Sequence, residues 1–284
     1  MTARATILLT GFALFAFAGN SVLARAALID GMIGVVPFTA IRILSGAVVL
    51  AALVGGASGL RSGSWGGAAS LLGYAALFTL AYLKLDTGMG ALLLFASVQI
   101  TMIGWGARSG ERLGRIAGVG VLLAFGGLVG LLLPGQARPD ILSALLMIAS
   151  GVCWGVYSLL GRGPGRALHV TAGNFMRASL LGAPLVGLAL YTGSDTSLTA
   201  TGVGLAVLSG AVTSGLGYAV WYRALQGLTA SRAGIVQLAV PPMAALGGVV
   251  LLSEPLTMRL VAASAIILAG IALAIVGRPH SNSK

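Results

Sequence analysis

Three side-chain amides set in strongly apolar sequence are the residues of this chain best suited to bind a polar solute. Asn20, Gln99 and Gln237 each lie inside a long stretch without charged residues. An amide both donates and accepts hydrogen bonds, which suits polar or zwitterionic solutes. Because a polar group inside a membrane is costly unless it has a partner, each amide is a candidate binding group. The alternative is a hydrogen bond between packed helices, which contributes about 0.6 kcal/mol in membranes.

Aromatic residues in the same apolar stretches could form the walls of a binding cavity. The candidates are Tyr74, Phe78, Tyr82, Trp154, Tyr157 and Tyr218. The first three recur at every fourth position, so they share one face of a helix. The alternatives are packing or anchoring at the membrane–water interface, where Tyr and Trp are enriched. Tyr82 lies near the end of its apolar stretch, which favours the interface.

Two arginines, Arg42 and Arg177, also lie inside apolar stretches. An arginine at mid-membrane costs about 2.5–3.5 kcal/mol on insertion scales, so each needs carbonyl, water or substrate partners. Their matched places in the two halves of the chain favour a bracing role. Glu111 and Glu254 are expected to cap helices or pair with nearby arginines.

The residue inventory argues against several other classes of protein. The sequence has no Gly-x-x-x-x-Gly-Lys-Ser/Thr loop for ATP and no carboxylate deep in an apolar stretch that could relay protons. An intramembrane enzyme would need a nucleophile, base or metal cluster at membrane depth, and neither carboxylate nor histidine is available there. No cofactor and no metal site are therefore expected, and Cys153 is interpreted as a packing residue.

The apolar stretches that carry these residues predict an all-α integral membrane protein. The chain is 57% hydrophobic and 8% charged, whereas a soluble domain carries about a quarter charged residues. A transmembrane helix needs about 20 apolar residues. Ten stretches qualify, two of them containing one arginine each: 5–24, 31–54, 62–83, 87–107, 116–137, 141–161, 168–191, 196–222, 233–253 and 260–277.

The chain also contains an internal repeat. Residues 82–113 and 222–256 share the same order of residues: Tyr82 and Tyr222, Leu85 and Leu225, Thr87 and Thr229, Ala91 and Ala233, and an acid two residues before a leucine at Glu111 and Glu254. The predicted halves are residues 1–137 and 138–284. Because each half has five helices, an odd number, the second must enter the membrane from the opposite side. Such inverted repeats are typical of transporters that alternate between two open states.

The distribution of basic residues predicts the orientation. With the amino terminus in the cytoplasm, the cytoplasmic loops and ends hold Arg4, Arg61, Arg108, Arg112, Arg115, Arg162, Arg166, Arg223, Arg232, Arg278 and Lys284. The outer loops hold only Arg25, Lys84, Arg138 and Arg259. This bias predicts that both termini are cytoplasmic, in a bacterial inner membrane. The net charge of +11 is scattered along the chain, so nucleic acid is not an expected partner.

Two sets of small residues bear on helix packing and oligomeric state. Gly126 and Gly130 in the fifth segment, with Ala265 and Ala269 in the tenth, have the spacing that permits close helix contact. They would pack these two segments together or support a homodimer, and the chain is expected to be a monomer or a homodimer.

Pro241 and Pro242 should kink or break the ninth segment.

Several stretches resemble the drug/metabolite transporter superfamily, in particular its ten-helix EamA-type exporters. The resemblance is carried by Trp221-Tyr222-Arg223-Ala224-Leu225, Ala230-Ser231-Arg232-Ala233, Pro241 and Ser253-Glu254-Pro255-Leu256. It implies ten helices around a central cavity, with segments 5 and 10 at the periphery. Within the family the chain is most similar to amino-acid exporters of the YddG type. It departs from the family at Phe17-Ala18-Gly19-Asn20, where many relatives have a Trp-Gly pair.

The sequence therefore predicts a secondary transporter that exports small metabolites, amino acids in particular, by alternating access. Its partners would be the lipid bilayer and a small-molecule substrate held between the halves. The predicted substrate-binding residues are Asn20, Tyr74, Phe78, Tyr82, Gln99, Trp154, Tyr157, Tyr218 and Gln237. The rival transport hypothesis is export of drugs, lipids or phosphorylated solutes, for which only Arg42 and Arg177 could supply positive charge.

Overall fold

The apolar stretches form helices in the computed structural model, which describes residues 2–56, 61–108, 114–133, 139–161, 167–193, 197–226, 228 and 236–277. A helix satisfies its own backbone hydrogen bonds, as a chain in lipid must. The helices of 13 residues or more are α1 (Ala3–Ile29), α2 (Val35–Val54), α3 (Trp65–Ala81), α4 (Thr87–Arg108), α5 (Arg115–Leu132), α6 (Ile141–Leu160), α7 (Ala167–Thr192), α8 (Ala200–Leu225), α9 (Val240–Leu252) and α10 (Met258–Val276). Within the described residues the only β-type pairing is a single bridge between Ile33 and Leu198.

Eight of these helices are long and apolar enough to cross a membrane, and α3 and α9 are shorter apolar helices. Helix α3 begins after Ser64, whose hydroxyl accepts the Gly67 backbone N–H. Helix α9 begins at Val240, with Pro241 and Pro242 in its first turn. Proline is tolerated there because the first N–H groups of a helix have no partner within it. The two prolines thus lie at the start of a helix and do not bend one. This agrees with the predicted break in the ninth segment.

The outer surface of the bundle is apolar, as a lipid-facing surface requires. Large side chains on several helices are well exposed, among them Leu8, Leu122, Leu142 and Leu190. The buried residues form one connected core that includes residues of both halves of the chain. Apolar side chains thus form both the interior and the outer surface of the bundle, as expected of a multi-pass membrane protein.

Helices α5 and α10 pack closely, through a different glycine face from the expected one. A Cβ added to Gly120 would lie 2.4 Å from the Ala274 nitrogen, and one added to Gly270 would lie 2.5 Å from the Ala124 nitrogen. Gly126 and Gly130 have no atom within 4 Å of an added Cβ. Ala265 and Ala269 are exposed. The predicted contact between segments 5 and 10 is therefore present, but the residues assigned to it were wrong.

Polar contacts show which helix ends lie together. Lys84, after α3, lies 3.6 Å from Asp140, before α6. The Arg259 guanidinium, near the start of α10, donates to the Leu133 carbonyl at the end of α5. The bridge from Ile33 to Leu198 joins the end of α1 to the start of α8. We call this end of the bundle, where α1, α3 and α5 finish and α6, α8 and α10 begin, the junction end.

The helix contacts also follow a regular scheme. Each of α2, α4 and α5 packs against the helix five places later, namely α7, α9 and α10. The contact of α3 with α6 corresponds to the contact of α8 with α1. In the same way, the contact of α4 with α6 corresponds to the contact of α9 with α1. Exchanging the first five helices with the last five therefore reproduces these contacts.

Candidate functional site

A cavity of about 420 Å³ lies between the two sets of five helices. This volume falls within the range of small-molecule sites, about 300–1,000 Å³. Most of the predicted site residues line it: Asn20, Tyr74, Phe78, Gln99, Trp154, Tyr157, Tyr218 and Gln237. The lining comes from α1, α3, α4, α6 and α8, from the residues just before α9, and from the ends of α7 and α10.

Tyr82 is the predicted site residue that lies outside the cavity lining. It is fully buried, and its hydroxyl donates to the Thr87 carbonyl at 3.3 Å. Its ring packs edge-on against Phe78 and covers Gly90, where an added Cβ would lie 2.4 Å from the ring. The structure therefore gives Tyr82 a packing contact between α3 and α4, away from both lipid and cavity.

Aromatic rings from three helices meet around Trp154. Its ring lies 4.8 Å from Tyr74 on α3, 5.2 Å from Tyr157 on α6 and 5.1 Å from Tyr218 on α8, measured between centroids. Phe17 on α1 continues this wall through an edge contact with Tyr218. Such a surface suits an apolar or aromatic group on a ligand.

Asn20 links α1 to α3 and α8 by hydrogen bonds. Its Nδ2 donates to the Tyr74 hydroxyl at 3.4 Å. Its Oδ1 accepts from Ser209 at 2.6 Å and from Thr213 at 3.1 Å. Both the ligand-binding and the helix–helix interpretations of Asn20 thus have a structural basis, because the residue lines the cavity and also joins three helices.

The middle of α8 is a π-helix, Leu208–Leu216, and it supplies the hydroxyls of this network. Its wider turn places Ser209, Thr213 and Ser214 on the side facing α1 and α2. π-helical turns are rare and occur frequently at functional sites. These hydroxyl residues were not among the predicted site residues. The available signal was the cluster of small and polar residues between positions 209 and 215.

Arg42 approaches the cavity from behind Tyr74 and Phe78. The residue is 2% exposed. Its Nη2 donates to the Tyr74 hydroxyl at 2.8 Å and its Nε to Ser214 Oγ at 3.4 Å. The guanidinium carbon lies 4.7 Å from the centre of the Phe78 ring. Arg42 is therefore in contact with three residues that line the cavity.

Arg177 has a different environment from Arg42. Its Nη1 donates to the Ser62 carbonyl at 2.5 Å and to the Gly173 carbonyl at 3.1 Å, and its guanidinium lies over the Trp65 ring. These contacts join the start of α3 to α7, which agrees with bracing. The two arginines, treated alike on sequence, thus differ in their surroundings.

Hydroxyl and amide groups continue along the rest of the cavity. Tyr157 donates to Thr171 at 3.4 Å, and Thr171 donates to the Tyr222 hydroxyl at 3.1 Å. Gln99 is 6% exposed and forms no hydrogen bond with the part of the chain that the structure describes. Its amide therefore remains available to a ligand.

The junction end of the bundle is held by ionic contacts around Arg25. The Arg25 Nε lies 3.2 Å from Glu254 Oε1, and its Nη1 donates to the carbonyls of Tyr82 and Leu83 at 2.9 and 3.0 Å. Glu254 Oε2 accepts the Thr87 backbone N–H at 2.8 Å. The predicted pairing of Glu254 with an arginine is confirmed. Glu111, its counterpart in the repeat, lies outside the described residues.

The cavity reaches the opposite end of the bundle. Gly161, at the end of α6, and Leu225, at the end of α8, both line it. These helices begin at the junction end, so their last residues lie at the other end. Polar contacts thus hold the helices together at the junction end, while the lining extends to the far end.

A bundle of apolar helices around an aromatic and polar cavity is typical of polytopic membrane proteins that bind small molecules. Residues 141–276 match the EamA-like transporter family. This part of the chain is therefore an EamA-like transporter family domain, of the drug/metabolite transporter superfamily. The match confirms the resemblance at the level of the family for the second half of the chain.

Two curated proteins and one solved structure are similar to this chain. The chain is 53% identical to an uncharacterized protein of Pseudomonas aeruginosa over 282 residues, 98% of this chain and 97% of that protein. It is 29% identical to an uncharacterized transporter of Archaeoglobus fulgidus over 170 residues, 58% of this chain and 59% of that protein. A protein of known crystal structure is 22% identical, with a TM-score of 0.68 and full coverage of both chains, so it shares the fold.

Proposed function

We propose that the protein is a secondary transporter that exports small metabolites, amino acids in particular, by alternating access. The observation that carries this proposal is the cavity between the first five and last five helices. Polar contacts hold the helices together at the junction end, and the cavity lining extends to the opposite end. A site between two sets of helices can be exposed to either side when the sets rock.

The two halves, residues 1–137 and 138–284, would form inverted five-helix repeats. Two observations support this. Helix α1 finishes at the end where α6 begins, so the matched helices run in opposite directions. The larger helix contacts are also preserved when the two sets of five are exchanged. We place the protein in the bacterial inner membrane with both termini cytoplasmic. The end of the bundle opposite the junction end would then face the cytoplasm, and the cavity lining would extend to it.

Within the cavity the solute would be held by two kinds of contact. The rings around Trp154 would pack against its apolar side chain. Asn20, Gln99 and Gln237 would orient its polar end, because these amides lie on the cavity lining. No energy source beyond the solute gradient is needed for such transport.

Uptake into liposomes tests the proposal. The purified protein is reconstituted, and uptake of a panel of labelled amino acids is compared with uptake by protein-free liposomes. We expect saturable uptake of one or more apolar amino acids. Uptake of a phosphorylated, lipidic or cationic solute without that of any amino acid would contradict the amino-acid assignment and favour the rival hypothesis.

A further inference from the structure

We propose that Arg42 and Tyr74 form an anion site in the cavity that takes the carboxylate of the transported solute. The proposal rests on the transport function proposed above and narrows its substrate class to small carboxylates. It assigns a binding role to an arginine for which the sequence favours bracing.

The first observation is an unsatisfied donor on Arg42. Two of its nitrogens, Nη2 and Nε, have hydroxyl partners at Tyr74 and Ser214, while Nη1 is buried with no hydrogen-bond partner in the described part of the chain. Native structures leave few buried donors unpaired, and each needs an explanation. Nη1 has essentially no surface open to the cavity in this state, so a bound anion would supply the missing acceptor only after the Tyr74 or Phe78 side chain in front of it shifts.

The second observation is an uncompensated charge. Asp86 and Glu254 face Arg25, and Asp140 faces Lys84. Asp30 is exposed after the end of α1. Across the described ranges no carboxylate lies within ion-pair distance of Arg42. A buried charge without a counter-charge is strongly unfavourable, so an anionic ligand would relieve a cost that the protein alone does not remove.

The third observation is the orientation of the Tyr74 hydroxyl. Its oxygen accepts from Arg42 Nη2 at 2.8 Å and from Asn20 Nδ2 at 3.4 Å. Both lone pairs are thus occupied, and the O–H hydrogen remains to be donated. Tyr74 lines the cavity, so this donor is available to a solute there. The adjacent guanidinium polarises the O–H group, which strengthens its hydrogen bond to an anion.

The charge of the site favours a monoanion. Among the residues that the structure describes, the cavity lining contains neither lysine nor arginine, and Arg42 lies directly behind it. One cation balances one carboxylate, whereas a phosphate ester carries up to two negative charges and three strong acceptor oxygens. The aromatic wall around Trp154 would accept the rest of such a solute.

Uptake of matched pairs tests the site. Leucine is compared with leucinamide, and phenylalanine with phenylalaninamide, because each amide keeps the side chain and loses the carboxylate. We expect wild-type protein to take up the acids at least about tenfold faster, since hydrogen bonds to charged groups exceed this factor. In Arg42→Gln the ratio of acid to amide uptake should fall toward one, and Tyr74→Phe should lower it in part. Arg177→Gln is the matched control and should keep the wild-type ratio.

The outcomes separate this inference from the proposed function. Equal uptake of acids and amides by wild type, or an unchanged ratio in Arg42→Gln, would overturn the anion site and leave the transport function standing. If no amino acid is transported, thermal stabilisation by benzoate and 4-methylpentanoate decides the matter. Stabilisation that Arg42→Gln abolishes supports the site, and its absence in wild type overturns it. If Arg42→Gln does not fold, an unchanged ratio in Tyr74→Phe overturns it.

Discussion

At the scale of single residues, Gln99 is a buried amide that no polar contact in the described residues explains. Its amide lines the cavity and has no hydrogen-bond partner within the described ranges. Replacing Gln99 with leucine keeps the volume and removes the donor and acceptor. We expect the KM for the transported solute to rise about three- to tenfold, the value of one neutral hydrogen bond.

The measurement is the concentration dependence of uptake into liposomes, with size-exclusion profiles to show that the variant is folded. Met102→Leu is a matched control, because Met102 lines the same cavity on the same helix without a polar group. A KM equal to that of wild type in Gln99→Leu would remove Gln99 from the site.

Residues at the site differed in how far the sequence could predict them. Asn20 and five of the six predicted aromatic residues line the cavity, and they stood out because polar or bulky groups inside apolar stretches are easy to recognise. The difference between Arg42 and Arg177 was not recognisable, because it depends on which neighbouring helix each side chain meets. Arg177 donates a hydrogen bond to the Ser62 carbonyl, whereas Arg42 donates one to the Tyr74 hydroxyl.

At the scale of helices, the contact between α2 and the π-helix of α8 depends on Gly210. A Cβ at this position would lie 2.1 Å from both the Arg42 carbonyl oxygen and Ser45 Oγ. Gly210→Ala should therefore push the π-helix away from α2 and disturb the hydroxyls next to Asn20. Overpacking of this kind costs about 1–3 kcal/mol.

We expect Gly210→Ala to have a lower melting temperature in detergent than wild type. In liposomes we expect slower uptake. Gly204→Ala is the control on the same helix, since an added Cβ there meets nothing within 4 Å. Equal melting temperatures for the two variants would show that the helices do not need this close approach.

The helices themselves were largely predictable, and their irregularities were not. Eight charge-free stretches and two with a single arginine located the ten segments, because the bilayer demands long apolar helices. The π-helical turn of Leu208–Leu216 has no such signal, since it depends on contacts with α1 and α2. The packing face of α5 was mispredicted because Gly120 and Gly127, as well as Gly126 and Gly130, occur on one helix, and spacing alone cannot select between them.

At the scale of the whole molecule, alternating access requires the junction end to open. Arg25 and Glu254 hold α1 near α9 at this end. Three residues before Arg25, Val22 lies beside Gly247 of α9, where an added Cβ would be 4.0 Å from the Val22 Cβ. This separation fits a disulfide, whose Cβ atoms lie about 3.5–4.5 Å apart. A disulfide between these positions would hold α1 and α9 together.

We therefore expect Val22→Cys combined with Gly247→Cys, in a chain where Cys153 is replaced by alanine, to lose uptake on oxidation and regain it with dithiothreitol. The two single-cysteine variants should be insensitive to the oxidant, because neither has a second thiol to pair with. Mass spectrometry of the oxidised protein establishes that the bond has formed. If the cross-linked protein transports at the wild-type rate, then α1 and α9 do not separate here. The solute would then have to leave by a route that keeps the Arg25 contacts intact, and rocking of the two halves would be excluded.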